Sequence, residues 1–331
     1  MLEVDIDGMA AEINKRKPAR VLIQAPEGLK SQLTDILIEL KKRCQAELLA
    51  TVDPCFGACD LADDKALRLN ADLLLHLGHS EIYQGKVETV YFPLAQDIDL
   101  REISTKLVLL LNQERIEKVG LTATVQFAGN LPKLAGELEK NGFEVFVGQS
   151  EQRVQEVGQV LGCNYSVAHA IEKDVDAFVF LGDGLFHPIG LSFTTRKKVF
   201  LANPFTQEVK ALKDDKDLFL RQRFGLITQC ANASSFGLLV STKPGQLSLK
   251  TALRLKKLIE AKGKQAYLFV ADYIYPEYLT GLKVDCYVNT ACPRLAIDDQ
   301  KQFNKLVINP TELEIALNYK RLSDYKIDEL E

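Results

Sequence analysis

The sequence predicts an α/β protein of three similar βα-repeat domains, each on a mainly parallel sheet. Short continuous apolar runs of strand length alternate with amphipathic helical stretches, the pattern of parallel strands covered on both faces. The alternation restarts twice, and each round closes on a strand running into proline: Tyr91-Phe92-Pro93, Ala202-Asn203-Pro204 and Ile308-Asn309-Pro310. A length of 331 residues suits three units of about 100–120 residues each. The expected domains are 1–96, 97–204 and 205–331.

In the first unit the spacing predicts strands over 20–24, 47–52, 71–76 and 90–92. A helix between the first two carries Leu33, Ile36, Leu37 and Leu40, and a second begins at Cys59. The second unit repeats this with strands over 118–122, 143–147, 176–181 and 198–201, a helix over 130–141 and another starting near Cys163. The third has strands over 236–240, 266–270, 284–288 and 305–308, a helix over 247–262 and a short one around 275–281. The apolar run at 107–111 fits either a helix or a strand.

Composition narrows the function classes. Hydrophobic residues make up 47% and charged residues 26%, ordinary globular usage with enough apolar side chain for several cores. A net charge of −4 argues against bulk nucleic-acid binding. The acidic start, Met1 to Asp7, does not read as a secretory signal, and no apolar run approaches the ~20 residues that span a bilayer. The expected compartment is the cytoplasm, where structural disulfides are rare, so the seven cysteines read as core thiols, ligands or nucleophiles.

Open α/β sheets bind ligands beyond the carboxyl ends of their strands. Three cysteines stand there, one per unit: Cys59 in Phe56-Gly-Ala-Cys-Asp60, Cys163 in Gly158-Gln-Val-Leu-Gly-Cys163, and Cys292 in Thr290-Ala-Cys-Pro-Arg294. Each lies at a strand-to-helix turn, where a helix N-terminus would lower the thiol pKa and favour the ligating thiolate. They lie 104 (163 − 59) and 129 (292 − 163) residues apart, so only assembly of the units could bring them together. Three thiolates would leave one iron of a cubane 4Fe–4S cluster open to substrate. The bland alternative is inert buried thiols, which fits Cys44, Cys230 and Cys286. Cys55 and Cys59 give half of the Cys-x-x-x-Cys-x-x-Cys loop of radical enzymes, but Ala62 stands at the third position. No Cys-x-x-Cys pair supports zinc.

With these motifs in hand, the chain resembles the diphthamide synthase family, the 2-(3-amino-3-carboxypropyl)histidine synthases. Gly57-Ala-Cys-Asp60, His76-Leu-Gly-His79, Gly162-Cys-Asn-Tyr-Ser166, Phe186-His-Pro188, Thr195-Arg-Lys-Lys198, Lys243-Pro-Gly-Gln246 and Ala291-Cys-Pro-Arg294 carry the resemblance, in order and over nearly the whole chain. It implies three α/β domains around a central 4Fe–4S cluster held by Cys59, Cys163 and Cys292. It also implies transfer of the 3-amino-3-carboxypropyl group of S-adenosylmethionine (SAM) to C2 of a histidine in translation elongation factor 2, the first step of diphthamide biosynthesis. An external electron donor goes with that chemistry. The compact length resembles the archaeal homodimeric form. Cys55 and Cys286 have no place in the family motif.

Four further features are candidates. Gly78 and His79 close the third strand of the first unit, facing SAM or serving structure; His76 and His79 lack the helical spacing of a zinc pair. Gly182 and Asp183 occupy the matching strand end of the second unit, where Asp183 suits ribose hydroxyls or an ammonium group. Gln246 opens the first helix of the third unit, where backbone N–H groups could receive a carboxylate. Lys243, Lys250, Arg254, Lys256, Lys257, Lys262 and Lys264 form a basic stretch, either a solvated face or a docking face for the elongation factor. Two other readings compete: a quinolinate-synthase-like cluster enzyme, and a non-catalytic protein of stacked α/β units.

Overall fold

The computed structural model describes residues 4–149 and 153–330. It contains three sheets. The first comprises β1 (Arg20–Gln24), β2 (Glu47–Ala50), β3 (Leu73–Leu77) and β4 (Thr89–Phe92), in spatial order β2-β1-β3-β4 and all parallel. The second comprises β5 (Lys118–Ala123), β6 (Glu144–Val147), β7 (Ala177–Leu181), β8 (Lys198–Asn203) and β9 (Glu208–Ala211), in order β6-β5-β7-β8-β9. Here β9 joins antiparallel at the edge, past the proline that closes β8. The third comprises β10 (Ser235–Ser241), β11 (Gln265–Ala271), β12 (Cys286–Asn289) and β13 (Leu306–Ile308), in order β11-β10-β12-β13, again parallel.

Ignoring β9, all three sheets share one topology: second, first, third, fourth. The chain moves to one side from its first strand and then crosses back to the other. That crossing leaves a crevice at the carboxyl ends, between the first and third strands, where α/β folds bind ligands.

Burial follows strand position. The central strands β3, β7 and β12 are buried throughout, whereas the edge strands β2 and β6 are half-exposed. Helices cover the faces. Met9 and Ile13 of helix Ile6–Arg16, with Ile36 and Leu40 of helix Leu33–Lys41, pack on Val21, Ile23, Leu73 and Leu75. The run at 107–111 lies within helix Arg101–Gln113, with Leu107 and Leu111 buried and Leu109 outward, as a 3.6-residue period requires.

One expectation is corrected. Cys230, on helix Lys213–Ala231, and Cys286, on β12, are not independent thiols but a disulfide pair with Cα atoms 6.2 Å apart. The last turn of that helix lies on the start of β12, so both sulfurs enter one core. The basic stretch is solvated at Lys250, Arg254, Lys257 and Lys262, which are exposed, and several of its members are paired. Lys243 is nearly buried against Asp60, Arg254 pairs with Glu314, Lys256 pairs with Glu260, and Lys264 donates to the carbonyls of Ala231 and Ala233. No helix among the described residues is long and apolar enough to cross a membrane.

Candidate active site

The crossing loops carry the three cysteines. Cys59 sits in the 3-10 turn Ala58–Asp60, on the way from β2 to β3. Cys163 sits on the way from β6 to β7, in a turn closed by reciprocal backbone bonds of 3.0 and 3.1 Å between Leu161 and Asn164. Cys292 follows β12 and precedes Pro293 and the short helix Arg294–Ile297. All three line one cavity of about 400 Å³, together with Gly78, His79, Asp183, His187 and Arg294. A second cavity, about 360 Å³, meets the first along Phe56, Cys59, Cys292 and Arg294.

The thiol pKa expectation is overturned. Burial pushes Cys163 and Cys292 up to about 12 and raises Cys59 as well. The neighbouring Cys59 and Cys163 thiols raise Cys292 further, which also marks the three as mutual neighbours, while the Arg153 charge pulls Cys59 and Cys163 partway back. Among the described residues no long helix begins at any of them: a three-residue turn holds Cys59, the six-residue helix Ser166–Ile171 follows Cys163 and a four-residue helix follows Cys292, too short for a useful macrodipole. The thiols are part-exposed, opening into the cavity. Three soft sulfur donors in such a recess suit a metal cluster, whose own charge would displace their protons.

The third unit closes on the first at Gly245. A Cβ there would lie 2.5 Å from Cys59 Cα and 2.6 Å from Cys59 Cβ, so only glycine permits this approach. Beside it, Gln246 Nε2 donates to Cys59 Sγ at 3.4 Å, and Arg153 Nη2 donates to the Gly245 carbonyl at 2.9 Å. Lys243 forms an ion pair with the buried Asp60 and lies over the Tyr273 ring, 3.7 Å from its centroid.

Behind the first cavity runs a chain of fixed polarity. Gln24 Nε2 donates to the Asp60 carbonyl at 2.6 Å and its Oε1 accepts the Ala62 N–H at 2.9 Å, which sets the amide orientation. Oε1 then accepts from His76 Nδ1 at 3.0 Å, so His76 Nε2 is the acceptor for His79 Nδ1, also at 3.0 Å. Nε2 of His79 remains as an acceptor nitrogen. Burial holds both rings neutral, with His79 lowered to about 4 and His76 well below its ordinary value. Cys55 completes a compact set with these histidines, their ligand atoms all within 4.8 Å. Both His76 nitrogens already serve the relay, so the set reads as a hydrogen-bonded chain rather than a metal site.

The expected contact residues divide between the cavities. Gly78, His79 and Asp183 line the larger one and Gln246 the smaller. Gly78 has φ +88°, and a Cβ there would lie 2.9 Å from Pro26 Cγ. Gly182 lines neither cavity; its N–H is bonded to the Ala202 carbonyl at 3.1 Å. Sequence reasoning missed Arg153, Tyr273 and the Asp60–Lys243 pair, and gave no role to His187 of the Phe186-His-Pro188 motif. Arg294 was visible beside Cys292, and its guanidinium lies 4.9 Å from the Phe186 ring centroid.

Known proteins resemble this chain over nearly its whole length. Residues 25–327 match the model of the diphthamide synthesis protein family. The 2-(3-amino-3-carboxypropyl)histidine synthase of Pyrococcus horikoshii is 35% identical, covering 99% of this chain and 94% of the relative. That of Methanocaldococcus jannaschii is 27% identical over 96% and 89%, and subunit 1 of the human synthase is 30% identical over 92% and 69%. A crystal structure of Dph2 from Pyrococcus horikoshii with a 4Fe-4S cluster superposes with a TM-score of 0.91 at 34% identity, over 99% of this chain and 94% of the other. The chain belongs to the diphthamide synthesis protein family.

Proposed function

We propose that this chain transfers the 3-amino-3-carboxypropyl group of SAM to C2 of a histidine in elongation factor 2, the first step of diphthamide biosynthesis. In this reading Cys59, Cys163 and Cys292 hold a 4Fe–4S cluster. The observation that carries it is the convergence of one thiol from each sheet on a single cavity. When bound, the cluster supplies the electron that breaks the bond from sulfur to the aminocarboxypropyl carbon, with an external donor as its source.

The chain's own residues do the rest. Gln246 supports Cys59 through its side-chain amide, and Gly245 keeps the third unit close enough for that contact. Gly78, His79 and Asp183 are the proposed SAM-facing residues. Neutral His79 accepts and the Asp183 side chain offers carboxyl oxygens, so both suit the donor's ammonium and ribose hydroxyls. The recess limits water around the reacting groups. A homodimer is the proposed assembly, and the cytoplasm, where a translation factor would be met, is the proposed compartment.

Anaerobic incubation with dithionite, SAM and elongation factor 2 tests the proposal. The expected nucleoside is 5′-methylthioadenosine, and one histidine of the factor gains an aminocarboxypropyl group. Without the factor, 2-aminobutyrate or a coupled product is expected. If 5′-deoxyadenosine is the main nucleoside, the direction of cleavage is wrong.

A further inference from the structure

A transferase with a small donor and a protein acceptor needs two approaches to one centre, and here two cavities meet at Cys59 and Cys292. Of the expected donor contacts, Gly78, His79 and Asp183 lie on the larger cavity, while Gln246, on the smaller, is hydrogen-bonded to Cys59. The smaller one differs in character. Its wall is a ladder of aromatic rings: Tyr273 stacks on Tyr275 at 5.8 Å and 18°, and Tyr275 meets Tyr278 edge-on at 5.5 Å. The ladder runs outward, because Tyr273 and Tyr275 line the cavity while Tyr278 is 63% exposed. Phe56, also 63% exposed, meets the Tyr273 ring edge-on with centroids 6.4 Å apart. Large exposed rings leading into a recess are the kind of surface that anchors a protein partner.

Charge agrees. Four carboxylates line this cavity, Asp60, Asp272, Asp298 and Asp299, against the two cations Lys243 and Arg294. Lys243 is held by Asp60 and Arg294 by Asp298 at 2.7 Å. Asp272 and Asp299 have no ion-pair partner among the described residues. Asp299 accepts from Gln302 Nε2 at 2.9 Å and Asp272 from Thr242 Oγ1. A flat ring with an N–H donor and a weakly basic nitrogen suits a recess lined by tyrosine rings and carboxylates without ion-pair partners. An imidazole is that ring.

We infer that the smaller cavity, entered past Tyr278 and Phe56, receives the acceptor histidine and its loop, with the Tyr275 ring beside the imidazole and Asp299 accepting its N–H. This rests on the proposed transfer reaction, and it leaves the larger cavity to SAM.

Tyr278 makes the test selective: it lies outside the cavity lining, where a protein loop passes and a small donor does not. Holoenzyme carrying Tyr278→Ala or Asp299→Asn is compared with the parent for the KM of elongation factor 2 and of SAM, and for the Kd of the factor by fluorescence anisotropy. Each substitution is expected to raise the factor's KM and Kd about tenfold or more, with the KM of SAM unmoved. Tyr278→Phe, which keeps the ring, should bind the factor like the parent. The near-isosteric Asp299→Asn keeps the test decisive if Tyr278→Ala fails to fold. An unchanged Kd for the factor in both variants overturns the assignment. So does a rise in the KM of SAM instead, which would give this cavity to the donor's adenosine. Failure of the reaction reading looks different: the parent itself would leave the factor unmodified.

Discussion

Arg223 is the strongest single test of how the third unit is held together. Its Nε and Nη2 each donate to the Glu312 carboxylate at 2.6 Å, and Nη1 donates to the Ala296 carbonyl at 2.7 Å. The two side chains are 4% and 1% exposed, so this is a bidentate pair out of reach of water. It also ties the long helix to the short helix after Cys292, the only link of that kind this residue makes to the site. Arg223→Met leaves Glu312 buried without its cation. The carboxylate keeps the Asn309 N–H at 2.8 Å and the Tyr325 hydroxyl at 3.1 Å, which offset part of the loss. Breaking a buried pair from one side costs about 3–5 kcal/mol, and these remaining donors favour the lower end. Amide exchange in helices Lys213–Ala231 and Pro310–Ala316 should therefore accelerate by roughly 150-fold, the equivalent of about 3 kcal/mol. Adding Glu312→Gln, which removes the charge and keeps the acceptor, should recover most of the protection. Acceleration below about fivefold, roughly 1 kcal/mol, would refute the reasoning.

Gly245→Ala pushes a methyl into the backbone of Cys59, so the loop must move; a cost of about 1–3 kcal/mol is expected, read as faster alkylation of Cys59 in cluster-free protein and lower iron retention. Unchanged alkylation would contradict it. The Glu329 carboxylate, hydrogen-bonded to His169, holds that imidazole above its ordinary value of 6.5. Burial pushes Glu329 itself up, but His169 and the Tyr165 N–H outweigh it and leave it below 4.5. The stabilisation from His169 is complete below pH 6.5 and lost as pH rises through its raised pKa. That from Glu329 is complete above pH 4.5 and lost as pH falls through its lowered pKa. An NMR titration should place His169 above 6.5, with Glu329→Gln bringing it down; a parent value at or below 6.5 would contradict the contact.

The sheets were legible because their strands are continuous apolar runs bounded by glycine and proline, and each predicted strand lies within a few residues of an observed one. Helix Lys213–Ala231 was not. Its buried positions are Arg223, Ile227 and Cys230, so an arginine stands where a sequence pattern looks for an apolar residue, and only the distant Glu312 makes that placement possible. The Cys230–Cys286 pair was hidden for a similar reason, since pairing depends on helix-to-sheet contact and not on spacing. The cysteines at the strand ends could be singled out because the fold rule puts ligands there. The second cavity could not, because Tyr273, Asp298 and Asp299 come together only through loops of the third unit meeting the Cys59 turn. The lowered thiol pKa failed because burial, which no sequence displays, outweighed the short helices nearby.

Cluster content in the cysteine series is the most direct measurement of the central claim. Anaerobically reconstituted parent protein should hold about four iron and four sulfide per chain, with a brown absorbance near about 400 nm. Cys59→Ala, Cys163→Ala and Cys292→Ala should each lose the iron or bind it unstably, while Cys44→Ala and Cys55→Ala keep it. A Cys292→Ala protein with full iron and unchanged spectrum would contradict a cluster shared by the three units.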